Sequence, residues 1–433
     1  MKPIKSIKKW FNSSVARRRS KFQPESPLRR RRSSATTNEE SPKFRGGFKQ
    51  NQKTINFLFI IFVIWQLVVV MIIGFGVRSY PAKGDFLYNE GLTKGKIINP
   101  EWLWNRANFD GFYYLEIARK GYGDFRQAFF PLYPKLIRLF TPYFGGRDLV
   151  AGLAISWLSL ALALFLLYRI IRLDFQENIA RRALVYLLIF PTAFFFSMVY
   201  SESLFLFLVT ASFYFGRTKR WWLAGIFGAL ASATRLMGVF LLPALAIEFW
   251  QQIKQEKRQP LSSLALRTLP LFLIPAGLIY YTHFLWVHYR DPLMFFHVQP
   301  YFGAGMVIKK IVLIYQVFWR YFLMLLTVEK FTPTYFVCVL EALTGAAFLI
   351  LTIFAYLRRW FSYAIFMALI YITPTLKGTF SSLPRHLLVL FPAFILLAIW
   401  AEKYRWVRIL YPLIAIPLLI VSLLLFTRGF WIA

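Results

Sequence analysis

Asp110, Glu116 and Asp124 stand within one stretch, residues 108–134, where carboxylates, aromatic rings and glycines crowd together, and they are three of only 19 acidic residues in the chain. A fixed carboxylate can take the proton of a hydroxyl as a general base. Glu202 follows in the run Tyr200-Ser201-Glu202-Ser203, and Lys377 and Arg385 supply cations further on. An arginine binds phosphate through two parallel N–H donors, and aromatic faces suit sugar rings and lipid stems. These residue types fit a transferase that uses a membrane-borne phosphate donor. Each also has a structural reading: Asp110 as a helix cap at a membrane interface, residues 200–203 as the turn of a helical hairpin, Arg385 as an interfacial anchor, and residues 128–131 as ordinary interfacial aromatics.

The elements that hold these residues are set by solvent. The 433 residues are 58% hydrophobic and 19% aromatic, with a mean hydropathy of +0.51. Such a chain is dissolved mainly in lipid. The formal net charge of +33 raises the question of nucleic acid. The basic residues, however, sit in short clusters beside apolar spans, as cytoplasmic anchors do, and no aromatic-basic binding motif lies in a soluble segment. The single cysteine, Cys338, excludes an intramolecular disulfide, and His283, His288, His297 and His386 show no ligand spacing with acids, so neither a metal nor another cofactor is expected. No Walker-type or dinucleotide loop is present.

Residues 1–56 carry Arg17-Arg18-Arg19 and Arg29-Arg30-Arg31-Arg32 among serines, glutamines and prolines, and read as a disordered basic cytoplasmic tail. Residues 57–433 read as one transmembrane domain. The first span, 57–77, starts inside because of that tail, which places residues 78–148 outside as a large loop with an amphipathic segment at 128–140. Gly111 lets the chain turn sharply after Asp110, and apolar Phe112, Leu115, Ile117 and Ala118 predict a short helix with Asp110 near its N-terminus. Spans follow at 149–171, 183–200 and 201–215. Residues 223–250 have basic clusters at both ends, so they require a hairpin or re-entrant pair that breaks near Thr234-Arg235. Further spans fall at 268–287, 334–357, 361–376, 386–400 and 407–426. Lys309, Lys310 and Arg320 make 306–328 an interfacial helix. The expectation is an all-α polytopic membrane protein with about eleven crossings.

This topology gathers Asp110, Glu116, Asp124, Glu202, Lys377 and Arg385 at the extracytoplasmic face. Arg235 alone lies deep. A transporter would set its charges nearer the midplane and show paired halves with broken helices; a flippase for a lipid-linked sugar and a scaffold bound through its basic tail stand as the other classes.

Four segments then carry a resemblance. They are Phe109-Asp110-Gly111 through Ile117-Ala118 and Gly121-Tyr122 into Ala128-Phe129-Phe130-Pro131-Leu132-Tyr133-Pro134; Phe190-Pro191-Thr192-Ala193-Phe194-Phe195-Phe196-Ser197 into Tyr200-Ser201-Glu202-Ser203-Leu204-Phe205; Ala233-Thr234-Arg235 with Gly238; and Pro384-Arg385-His386 ending in Phe391-Pro392. In this order they resemble the family of the second glycosylphosphatidylinositol mannosyltransferase (PIG-V-like) and its bacterial relatives, within the GT-C class of membrane glycosyltransferases. Phe109 replaces the usual Trp, and Leu236 replaces the Pro that often follows Thr-Arg. The resemblance implies a GT-C-like fold and transfer of a sugar, typically mannose, from a polyprenyl-phosphate sugar to a hydroxyl on a glycolipid or other membrane-associated acceptor, at the extracytoplasmic face of a bacterial plasma membrane or an endoplasmic reticulum membrane. It implies Asp110 as the catalytic carboxylate. Asp124 and Glu202 are the next catalytic candidates by residue type and place, and Arg385, Lys377, Arg235, Tyr200, His386 and Tyr133 are the candidates for binding substrate. A single displacement at the anomeric carbon predicts inversion.

Overall fold

The structure is a computed structural model, and it describes residues 48–82, 100–123, 125–256, 267–302, 312–376 and 378–432. The chain divides into residues 1–52 and 53–433, and the core and the charged site both belong to the second unit. Asp124 and Lys377, and the lysines at 309 and 310, lie outside the described residues.

The described residues form helices joined by short 3-10 turns and contain no strand. In chain order the helices are α1 Phe48–Ser79, α2 Glu101–Trp104, α3 Asp110–Lys120, α4 Leu132–Phe140, α5 Asp148–Ile171, α6 Glu177–Leu188, α7 Glu202–Arg217, α8 Trp221–Thr234, α9 Leu241–Ile253, α10 Ala276–Tyr289, α11 Met294–His297, α12 Ile314–Thr327, α13 Pro333–Leu357, α14 Phe361–Thr375, α15 Leu383–Leu387, α16 Phe391–Lys403 and α17 Arg405–Thr427. Among the described residues six helical stretches are long and apolar enough to cross a membrane: Gln52–Ser79, Asp148–Ile171, Leu236–Ile253, Leu269–Tyr289, Pro333–Leu357 and Arg405–Thr427. Their outer faces are apolar: Phe59, Met71, Leu158, Ile279, Leu343 and Leu413 are all more than half exposed. Side chains of this kind have no stable place except in lipid. The protein is an all-helical polytopic membrane protein.

The expected spans are largely helical but not all continuous: 268–287 opens with the 3-10 turn Leu269–Leu273, 386–400 is interrupted at residues 388–390 between α15 and α16, and two others differ more in form. The span at 183–200 is α-helical only to Leu188, after which residues 193–197 form a buried 3-10 turn. Pro191 explains the stop, since it lacks an N–H and disfavours helical backbone in the residue before it. The pair within 223–250 breaks where expected. Arg235 is extended (φ −153°, ψ 146°), and the following turn Leu236–Phe240 folds back on α8. The return is so close that a Cβ on Gly238 would stand 2.3 Å from the Ser232 nitrogen, which only glycine permits.

The core is built by α5, α7 and α8 packed side by side, with α6 against α16 and α13 against α14. Around the first loop, α3 lies on α4, and α4 on α5. The amphipathic segment at 128–140 is the short turn Arg126–Ala128 followed by α4, and the interfacial helix expected at 306–328 is α12.

Candidate active site

Asp110 opens α3, and the residue before it is bent into a conformation that side chains avoid. Phe109 has φ 54° and ψ −117°. Its ring is pinned by Phe426 (5.7 Å between centroids) and Trp431 (5.1 Å). Strained backbone of this kind persists only where surrounding contacts over-determine it, and it concentrates at working sites. The neighbouring chain supplies those contacts. The Val199 amide donates to the Arg106 carbonyl (3.0 Å), the Tyr200 hydroxyl donates to the Asn108 carbonyl (2.7 Å), and the Asn108 side chain donates to the Phe426 carbonyl (3.0 Å). Gly111 completes the fit, since a Cβ there would lie 3.2 Å from the Val199 carbonyl and 3.4 Å from the Tyr200 ring.

The Asp110 carboxylate does not cap its own helix. Oδ2 accepts from Nη1 of Arg385 at 2.6 Å. Arg385 sits in α15, and its guanidinium lies over the rings of Phe195 and Tyr200, each 5.5 Å from its centroid. Its Nε stands 3.3 Å from Glu202 Oε1, and the same oxygen accepts from Arg235 Nη1 at 2.5 Å. The four charges therefore alternate as Asp110, Arg385, Glu202, Arg235. Two carboxylates against two guanidiniums neutralise one another, which is what allows such a group to sit away from water. Burial pulls the Arg385 guanidinium toward its neutral form, but the charges of Asp110 and Glu202 outweigh this and hold it above its ordinary value.

Exposure separates the two carboxylates. The Glu202 side chain is 1% exposed, whereas Asp110 is 14% exposed and Arg385 10%. Asp110 can meet a substrate; Glu202 holds the two arginines together from beneath, with its Oε2 buried and without a hydrogen-bond partner.

The remaining sequence candidates divide. Arg235 belongs to the cluster, and the break after α8 is what lets its side chain reach Glu202. Tyr200 lies under Arg385 with its hydroxyl already committed to Asn108. Tyr133 is fully buried, its hydroxyl bonded to the Gly152 carbonyl (3.0 Å) and Ser156 Oγ (2.7 Å), and Ser156 donates in turn to the Tyr200 carbonyl (3.2 Å). It supports Tyr200 from a distance. His386 is half-buried, with Nδ1 2.6 Å from the Ser382 carbonyl. Glu116 turns to its own side of the loop and pairs with Lys120 (2.9 Å), Arg126 (3.5 Å) and Arg119 (3.6 Å), not with the cluster. Among the described residues no three His, Cys, Asp or Glu side chains converge to hold a metal ion.

Three residues were not among the site candidates named from the sequence. Asn108 ties the strained turn to α17, Phe195 carries Arg385 on its face, and Glu341 lies inside α13. Only the last had a signal: a carboxylate within an apolar run calls for a partner.

The family model for mannosyltransferase (PIG-V) matches residues 53–292, a stretch that contains Asp110, Tyr133, Tyr200, Glu202 and Arg235. The curated proteins and the solved structures give no significant match. The match takes in more than half of the chain, and within it lie three of the four charges of the cluster; this chain belongs to the mannosyltransferase (PIG-V) family and is a membrane glycosyltransferase, acting with a lipid-linked sugar donor and an acceptor in the membrane.

Proposed function

We propose that the protein transfers mannose from a polyprenyl-phosphate mannose to a hydroxyl of a membrane-associated acceptor on the extracytoplasmic face, with inversion, Asp110 acting as general base. The observation that carries this is the Asp110–Arg385 pair at 2.6 Å, partly open at a site otherwise closed. Without substrate the guanidinium satisfies the carboxylate. A donor phosphate competes for that guanidinium, and the carboxylate it releases is then basic and aimed at the place where an acceptor hydroxyl must stand. The hydroxyl proton passes to Asp110 as its oxygen bonds to the anomeric carbon; the bond from that carbon to the phosphate oxygen breaks, and its electron pair leaves on phosphate. Arg385 meets the charge that develops there, a role suited to a preorganised cation in a site poor in water. Lys377, by sequence position, is a second cation for the same phosphate.

The extracytoplasmic assignment rests on charge. The basic residues before α1 and the arginines at 169–182 flank the first loop on the opposite side. The direct test is to incubate purified protein in liposomes with polyprenyl-phosphate mannose labelled in the sugar and an extract of membrane glycolipids. Label appearing in a new glycolipid, with inverted anomeric configuration, is the expected outcome. Label that stays in the donor or only changes leaflet would replace transfer with transport.

A further inference from the structure

Glu341 lies inside α13, a helix long and apolar enough to cross a membrane, and is 4% exposed. A carboxyl in such a place is costly unless something uses it. Both its oxygens are engaged. Oε2 accepts from the Tyr321 hydroxyl of α12 at 2.5 Å, and Oε1 accepts from the Ser382 backbone amide at 3.1 Å. Tyr321 continues the link, because its oxygen accepts from the Phe380 amide (3.1 Å) and lies 3.2 Å from Thr379 Oγ1. One residue earlier, Arg320 Nη1 donates to the Gly378 carbonyl at 2.6 Å. The Phe380 ring is fully buried against Phe318 and Tyr321, centroids 5.0 and 4.9 Å away. Helices α12 and α13 thus grip residues 378–382 by backbone and side chain. Ser382, the last residue gripped, is left-handed (φ 61°) and opens α15, where Arg385 stands. On its far side, Thr192 Oγ1 donates to the Pro384 carbonyl of α15 at 3.0 Å.

We propose that Glu341 is a positioning residue for Arg385: through Tyr321 and the 379–382 backbone it fixes the strained Ser382 turn, and so sets where the guanidinium stands between Asp110 and the donor phosphate. This rests on the reading of Arg385 as the phosphate partner. A carboxyl is suited to the task because its two oxygens can accept the phenol and the amide separately; an apolar side chain accepts neither, and a serine or threonine hydroxyl is shorter and offers one oxygen for both.

The test uses the full-length protein with Glu341→Ala, Glu341→Gln and Tyr321→Phe, each alone and with Arg385→Ala. Expected are a donor KM raised about tenfold in Glu341→Ala with a smaller change in kcat, a similar but weaker effect in Tyr321→Phe, and substantial recovery in Glu341→Gln, which can still accept from Ser382 and meet Tyr321. In the Arg385→Ala background Glu341→Ala should add almost nothing to KM. A KM rise that persists there in full would make Glu341 a general structural residue and overturn the proposal. A readout free of activity is the rate of maleimide labelling at Ser381→Cys, with Cys338 replaced by alanine, which should increase in Glu341→Ala and Tyr321→Phe. Unchanged labelling overturns the grip. Faster labelling in a protein whose parent transfers no mannose would leave the grip standing and remove the proposed reaction instead.

Discussion

Arg385 and Asp110 are 275 positions apart in the chain, yet their side chains meet at 2.6 Å. The pair joins α15 to the first turn of α3, and Glu202 and Arg235 extend it into a line of alternating charge. A line of this kind is held in common, so removing one member disturbs the rest, and substitutions differ in their effect according to which member they remove.

We predict that Asp110→Asn lowers turnover by about 10²- to 10⁴-fold, the range for loss of a general base, while the protein still inserts and binds donor. Asparagine keeps the size of the side chain and can still accept from Arg385. A residue that served only as a helix cap would tolerate the change with a few tenths of a kcal/mol at most. Steady-state kinetics on purified variant decides; full activity would move the base elsewhere.

For Arg385, removal of a charge-assisted contact to the donor phosphate is expected to weaken donor binding by roughly ten- to more than a hundredfold, about 1.5–3 kcal/mol. Arg385→Lys should be impaired as well as Arg385→Ala, because an ammonium keeps the charge but lacks the planar fork that can hold Glu202 while it meets the phosphate. Donor affinity at the wild-type level in both variants would take this residue out of the site.

Glu202→Gln is predicted to act on stability more than on substrate binding. The side chain is 1% exposed and touches both arginines, so its loss leaves two largely covered guanidiniums with Asp110 alone as counter-charge. Breaking a buried pair by removing one partner typically costs about 3–5 kcal/mol. Thermal unfolding in detergent should show a clear drop in Tm, larger than that of Asp110→Asn; equal melting curves would show that Glu202 is not the keystone of the cluster.

The topology has its own check. In a background lacking Cys338, single cysteines at Ser79, at the exposed end of α1, and at Ser33, in the basic N-terminal segment, should differ in intact cells: an impermeant maleimide is expected to label position 79 and spare position 33. The reverse pattern would turn the protein over and place the Asp110 site on the cytoplasmic side.

Residue types and their spacing were enough to give the class of solvent, most of the helical segments and the acids and cations that are candidates for chemistry. Lipid demands about 20 apolar residues per crossing and leaves a charged side chain few places to be, so spans, the break at Arg235 and the short list of acids can be read from composition and spacing alone. The partners came from tertiary packing. That Asp110 faces Arg385, that Glu202 is buried beneath it, and that Tyr133 and Tyr200 spend their hydroxyls on backbone carbonyls are matters of which helix ends meet. Helix ends far apart in the chain are brought together by packing of α7 against α5 and α8, of α3 on α4 and α5, and of α15 on α13 and α14, a non-local sum of many weak contacts that no short motif records. The same reason hid Phe109 and Glu341. A phenylalanine at φ 54° looks like any other until the rings that hold it are in place, and a carboxyl inside α13 has no evident use until α12 and the Ser382 turn close on it.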